Sequence, residues 1–195
     1  MNKGSHISLA LFLLEREELK GLNQHRRALL MGSILPDCLP SFLTTRHTIT
    51  ETFELVKAEI HKLSGEYHKQ KGISKSFCIH LGMVLHYLAD YFTTPHNPGF
   101  SGTVRNHIDY ERALQVYIQC YFENGVIVAE EQDMEENETL FEYIVELHNQ
   151  YLNEARSLIT DCEYITRICY QAAKILMKGL KIPDIAEERE QEVAA

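Results

Sequence analysis

No tryptophan occurs in this chain of 195 residues, and no cysteines are spaced as Cys-x-x-Cys. The five cysteines, Cys38, Cys78, Cys120, Cys162 and Cys169, are scattered and odd in number. That pattern predicts buried thiols in a reducing compartment rather than a disulfide framework. Basic residues are also scarce: 19 Lys and Arg stand against 28 Asp and Glu, a formal net charge of −9. Such a balance excludes non-specific binding to duplex nucleic acid, which needs basic patches, and opposes unaided docking on anionic lipid. No apolar run is long enough to span a bilayer. The run Ile7 to Leu14 is followed at once by Glu15-Arg16-Glu17-Glu18, without a small-residue cleavage site. It reads as a first helix rather than a signal peptide. Together these absences predict a cytoplasmic protein with no transmembrane segment.

What remains is ordinary for a globular chain: 45% hydrophobic and 24% charged residues. The length fits one domain, read as residues 1–182, with an acidic, frayed tail over 183–195. No internal repeat and no alternating strand pattern appears. Helical signals recur instead. Ser5 is expected to cap a first helix through about Leu19, ended by Gly21. A second helix is expected from about Asn23 to Ile34, stopping at Pro36. A third begins at Thr48 or Thr50 and ends near Gly65. Ser74 caps a fourth that is apolar almost all round (Phe77, Ile79, Leu81, Val84, Leu85, Leu88) and therefore central. Others are expected to about Asn124, from about Asn137 to Ala155, and from a Thr160 cap to about Gly179. Loops are expected over Tyr67 to Gly72 and, acidic, over Glu130 to Glu136, while Val126 to Val128 is a β-branched run too brief to support a sheet. The class is all-α, a single-domain bundle of about seven helices.

The chemistry concentrates in Leu-His-Tyr-Leu-Ala-Asp-Tyr-Phe-Thr-Thr-Pro-His and the following Asn-His-Ile-Asp-Tyr-Glu. His86 and Asp90 are four apart, one turn apart on one helix face. His107 and Glu111 repeat the arrangement, and His96 sits at the turn between, where Pro95 ends the first helix. One His-x-x-x-Asp is ordinarily a hydrogen-bonded surface pair. Two pairs with a bridging His point to metal, because imidazole nitrogen and carboxylate oxygen are the donors of a hydrolytic zinc site. Their faces agree. His107 and Glu111 continue into Leu114, Ile118 and Phe122 at helical spacing. A carboxylate on such a stripe is expensive unless it is paired or ligates a metal. Below His86 lies Gly82, which costs about 1 kcal/mol relative to Ala in a helix interior but is tolerable where another backbone must come close.

Upstream, Asp37 lies between Pro36 and Pro40, His47 ends that loop, and His6 opens the first helix. Taken singly, they read as a turn former and two surface histidines. Their order is more specific: His6, then Gly-Ser-Ile-Leu-Pro-Asp37, His47, His86-x-x-x-Asp90, Pro-His96 and His107-x-x-x-Glu111. That order resembles the zinc-dependent phospholipase C family, which includes bacterial phosphatidylcholine-hydrolysing enzymes and the catalytic domain of clostridial alpha-toxin. Fungal single-strand-specific zinc nucleases share its fold and metal cluster. The resemblance implies the helical bundle of that phospholipase C/zinc nuclease type. It implies one Zn2+ on Asp37, His47, His86 and Asp90, and a second on His96, His107 and Glu111. Asp90 would bridge to a third, which His6 also contacts. Two features depart from the family. Secreted members ligate the third zinc through an N-terminal tryptophan, absent here. The phosphatidylcholine enzymes carry choline-binding aromatics where this chain has Cys38 and Thr44, so a choline preference is not implied. The other histidines, His25, His61, His68, His80 and His148, read as surface or structural.

The expected function is zinc-dependent phosphodiester hydrolysis, with Asp37 as general base and a phosphoester small molecule or phospholipid headgroup as partner. Local zinc charge would offset the acidic balance for a phosphate-bearing substrate. Two alternatives stand beside it: a non-catalytic protein binding a metal or phosphorylated ligand on the same fold, and a single-strand nuclease, which the acidic charge disfavours. An HD-type phosphohydrolase needs a His-Asp dipeptide, and none occurs.

Overall fold

The computed structural model describes residues 1–38, 45–65, 72–124 and 139–178. Among these lie seven α-helices, two 3-10 segments and no strand: α1 (Lys3–Leu14), a 3-10 stretch (Glu17–His25), α2 (Arg26–Ile34), α3 (Ile49–Gly65), α4 (Lys75–Tyr91), a 3-10 turn (Thr94–His96), α5 (Val104–Glu123), α6 (Leu140–Asn153) and α7 (Leu158–Lys178). The all-α expectation is met. One continuous apolar core takes residues from all seven helices. No helix among the described residues is long and apolar enough to cross a membrane. The expected features at 66–71, 125–136 and 179–195, with Thr44 and His68, lie outside the described residues.

Helix α4 is the axis of the bundle. Ser74 caps it by accepting from the Phe77 N–H at 3.0 Å. From Leu81 to Tyr91 every residue is buried, as its all-round apolar sequence requires. It packs chiefly on α2, and also on α1, α3 and α7. The α2 contact is backbone to backbone: a Cβ added at Gly82 would come within 2.6 Å of the Leu29 carbonyl oxygen and the Ser33 nitrogen. The helix-propensity penalty of Gly82 is therefore offset by the closest helix approach in the core.

Several boundaries differ from expectation because side-chain capping decides them. Asn2, not Ser5, caps α1: its Oδ1 accepts from the Ser5 N–H at 3.0 Å, and Ser5 is fully buried. The helix stops at Leu14 rather than Leu19, with Asn23 Nδ2 donating to the freed Leu14 carbonyl at 2.8 Å. The following segment is 3-10, so α2 begins only at Arg26. Thr103 with Asn106 and Thr139 with Glu142 form capping boxes that start α5 and α6. Ser157, not Thr160, starts α7 by accepting from the Thr160 N–H at 3.1 Å. Cys78, Cys162 and Cys169 are buried as expected, whereas Cys38 and Cys120 are exposed; all five are free.

Gly82→Ala should destabilise the fold by about 3 kcal/mol or more, because the added methyl meets backbone that no rotamer change can move. Urea unfolding of the variant against the parent measures this. A loss below about 1 kcal/mol would show that α2 and α4 can part without penalty.

Candidate metal centre

Helix α4 brings His86 and Asp90 to the centre of the molecule, at 0% and 1% side-chain exposure. The close approach of α2 lets His86 Nδ1 donate to the Ser33 carbonyl at 2.8 Å. That bond places the proton on Nδ1 and leaves the Nε2 lone pair free, the usual way a ligand imidazole is oriented. His86 Nε2 then faces His47 Nδ1 at 3.0 Å, Asp90 Oδ2 at 3.5 Å and Asp37 Oδ1 at 3.7 Å. His47 Nδ1 also lies 3.0 Å from Asp90 Oδ2 and 4.0 Å from Asp37 Oδ1. On the other side of the carboxylate, His6 Nε2 lies 3.4 Å from Asp90 Oδ1, with its ring stacked on His86 at 3.8 Å between centroids. Asp90 thus presents its two oxygens to two different donor sets.

The second half rides on the 94–96 turn and α5. The Thr93 hydroxyl donates to the Asp90 carbonyl at 2.8 Å, so its oxygen must accept from His96 Nδ1 at 2.6 Å. His96 Nε2 is thereby left proton-free. The His96 and His107 rings meet edge-on at 5.2 Å, and His107 Nε2 contacts Glu111 Oε1 at 3.2 Å. The Met1 α-amino group ties the halves together: it donates to Asp90 Oδ1 and lies 3.5 Å from Glu111 Oε1. Asn2 Nδ2 donates to the Glu111 carbonyl and to Gln115 Oε1, docking the start of α1 on α5.

Electrostatics prepare these groups as ligands. Burial alone would raise the Asp90 pKa; the Met1 ammonium beside it outweighs burial and holds the carboxyl well below its usual range. Burial pushes His86 far down and lowers His96 to about 3. The Glu111 carboxyl is also lowered, its burial outweighed by the His107 hydrogen bond and the Met1 ammonium. Asp37, half-buried, is raised by desolvation. Neutral imidazoles beside an ionised carboxylate are the protonation state that metal binding demands.

The residues fit a zinc ion by two observations. Donors on a tetrahedral zinc with bonds near 2.0–2.1 Å stand about 3.3 Å apart, and the contacts around His86, His47, Asp37 and Asp90 span 3.0 to 4.0 Å. Both ring nitrogens of His6 are buried without a hydrogen-bond partner. A polar atom left so carries a desolvation penalty of about 1–3 kcal/mol, which a metal bond would remove.

Two sets of three donors close to within 4.8 Å among the described residues: His6, His86 and Asp90, and Asp37, His47 and His86. His96, on the 94–96 turn, and His107 and Glu111, both on α5, are neighbours in a looser group. Two contributors escaped the sequence reading. The Ser33 carbonyl is backbone and carries no side-chain signal. Thr93 was legible only as the residue before Thr94-Pro95. Of the two roles expected for His148, surface or structural, it takes the structural one: it is buried, and its Nε2 donates to Asn97 Oδ1 at 2.8 Å. Asp37, Arg46, His47, His96, Phe100 and His107 line a cleft of about 980 Å³ leading from solvent to the centre.

A family model described as zinc dependent phospholipase C matches residues 5–158. No curated relative and no solved structure matches the chain.

Zinc added to metal-free protein should raise its thermal midpoint, by the equivalent of about 2.7 kcal/mol per site at a free concentration of 100 Kd, and a chelator should reverse the shift. Calorimetry reads both. An unchanged midpoint at saturating zinc would mean that the donors do not bind it.

Proposed function

The chain belongs to the zinc-dependent phospholipase C family, and on that premise we propose that it hydrolyses a phosphodiester at the inner end of the cleft. The observation that carries this reading is the convergence of donors with one side open: Asp37, His47, His96 and His107 all border the cleft, while His86 and Asp90, in contact with His47 and Asp37, are buried behind them. Catalytic zinc sites keep an open coordination position, and structural ones are closed.

We assign one zinc to Asp37, His47, His86 and Asp90, and a second to His96, His107 and Glu111. Asp90 extends with His6 toward a third. Bound there, zinc would polarise the phosphoryl oxygens and lower the pKa of a water to about 7. The chain's own residues do the rest. Asp37 reaches the cleft from the α2 side and, as a loop carboxylate at the edge of the metal centre, takes the proton of the attacking water. The exposed guanidinium of Arg46, at the cleft, supplies a cation for the phosphate. Phe100, Val104 and Leu152 form an apolar stretch of wall suited to the lipid side of a headgroup ester. The cleft volume is that of an ordinary small-molecule site. Five free cysteines support a cytoplasmic location.

Zinc-loaded protein should cleave phosphodiesters, with phospholipid headgroup esters ahead of single-stranded DNA. Asp37→Asn should lower kcat by about 10²–10⁴-fold. Asp90→Asn and His107→Ala should each lose zinc and at least 10²-fold in kcat/KM, about 2.7 kcal/mol of transition-state stabilisation. Full activity in both of these variants would refute the ligand assignment. Faster cleavage of single-stranded DNA than of lipid would favour a nuclease. Full zinc occupancy without turnover on any ester would leave a binding protein.

A further inference from the structure

We propose that Asp161, on α7, is a positioning residue for His96: its buried carboxylate pins the Thr94–His96 turn that presents this imidazole to the metal centre. The proposal rests on the metal-centre reading above for its catalytic meaning. Asp161 lies beyond the stretch that the family model matches. It is wholly buried. Its Oδ2 accepts from the Thr94 N–H and from Thr94 Oγ1, each at 3.2 Å, and from the Tyr110 hydroxyl of α5; its Oδ1 accepts from the Tyr151 hydroxyl of α6 at 2.7 Å. One carboxylate therefore joins the turn and the helices α5 and α6 to α7, with about four lone-pair sites met by four donors.

The turn needs such an anchor because it has little of its own. Pro95 has no N–H. The His96 N–H goes to the Thr93 carbonyl at 3.1 Å, and the Thr94 N–H goes outward, to Asp161. Asn97 Nδ2 also donates to the Tyr91 and Thr93 carbonyls at 2.7 and 2.8 Å, and His148 holds the Asn97 oxygen. Thr93, next to the pinned residue, is the group that fixes the His96 tautomer by accepting from Nδ1. Freeing Thr94 frees the backbone on which Thr93 and His96 are both mounted. Replacing a buried ionic group by well-packed apolar residues is often neutral or stabilising, so stability alone does not call for a carboxylate at this position. Outer partners that orient a metal-ligating histidine are worth roughly 10–100-fold in metal affinity.

The test compares Asp161→Asn with Tyr151→Phe. The first places an amide where Thr94 needs an acceptor. The second removes one donor to the same carboxylate, and with it a hydroxyl contact of Thr94, while leaving the Asp161 acceptor of the Thr94 N–H in place, and so reports a merely structural role. Imidazole 1H–15N spectra of the chelator-treated proteins read the histidines without metal. Zinc titrations of the same proteins then read affinity. In Asp161→Asn, His96 should lose its single Nδ1–H tautomer while His6, His47 and His86 keep their resonances, and one zinc should bind about 10–100-fold more weakly. Tyr151→Phe should leave His96 unmoved. An unaltered His96 in Asp161→Asn, or an equal shift in Tyr151→Phe, would overturn the proposal. A parent chain that takes up no zinc would remove the metal-centre reading, while the spectra still decide whether Asp161 positions His96. Should Asp161→Asn not fold, Thr94→Val, which removes only the hydroxyl contact, decides alone: a His96 shift supports the proposal and an unmoved His96 refutes it.

Discussion

A carboxylate with 1% exposure sits near the C-terminal end of the most buried helix of the molecule, and the placement of most neighbouring groups follows from it. An isolated buried charge costs several kcal/mol even after relaxation. Asp90 offsets that cost with the Met1 ammonium on one oxygen and imidazoles on both sides. The chain brings those partners from three separate places: the start of α1, the segment just before α3, and α4 itself. Each partner is in turn oriented by something that is not a ligand. His86 is held by a backbone carbonyl, and His96 by a hydroxyl whose own proton returns to the Asp90 carbonyl.

Helix packing and site chemistry are thus one problem in this fold. The glycine contact between α2 and α4 does more than fill space: it sets the distance from Ser33 to His86, and through it the tautomer of the central imidazole. A helix pair held apart by ordinary side chains, at 8–10 Å between axes, would leave that carbonyl out of reach. The inner side of the centre is consequently buried. The outer side, bordered by Asp37, His47 and the 94–96 turn, meets the cleft. This asymmetry is what hydrolysis requires: ligands that do not move, and an approach that does not have to open through the core.

Helices α6 and α7 contribute no candidate ligand. They contribute polar groups, Asn97's partner His148 and the Tyr151–Asp161 pair, that reach under the 94–96 turn. A short 3-10 turn has poor internal hydrogen bonding, so its geometry is borrowed from these neighbours. The looser grouping of His96, His107 and Glu111 fits that picture, since two of the three sit on a helix and one on a segment that needs external support.

The sequence by itself determined the helical class and the central rank of α4, and it offered eight side chains for the candidate centre, of which the structure gathers His6, Asp37, His47, His86 and Asp90 into two close donor sets. All three are short-range patterns: all-round hydrophobicity, i to i+4 spacing, and the order of a few residue types. It also pointed to Gly82 as a place of close approach, without saying what approaches. Boundaries were read less well. Asn2 and Ser157 cap where Ser5 and Thr160 were expected, because several residues within one turn can cap and packing chooses among them. The tertiary structure alone decided what meets Asp90. The Met1 amine, 89 positions away, and the Asp161 anchor of Thr94, 67 positions away, are joined by no pattern in the chain. Such contacts arise where helices distant in sequence bury one face together, and burial is what gives them their strength and their pKa shifts.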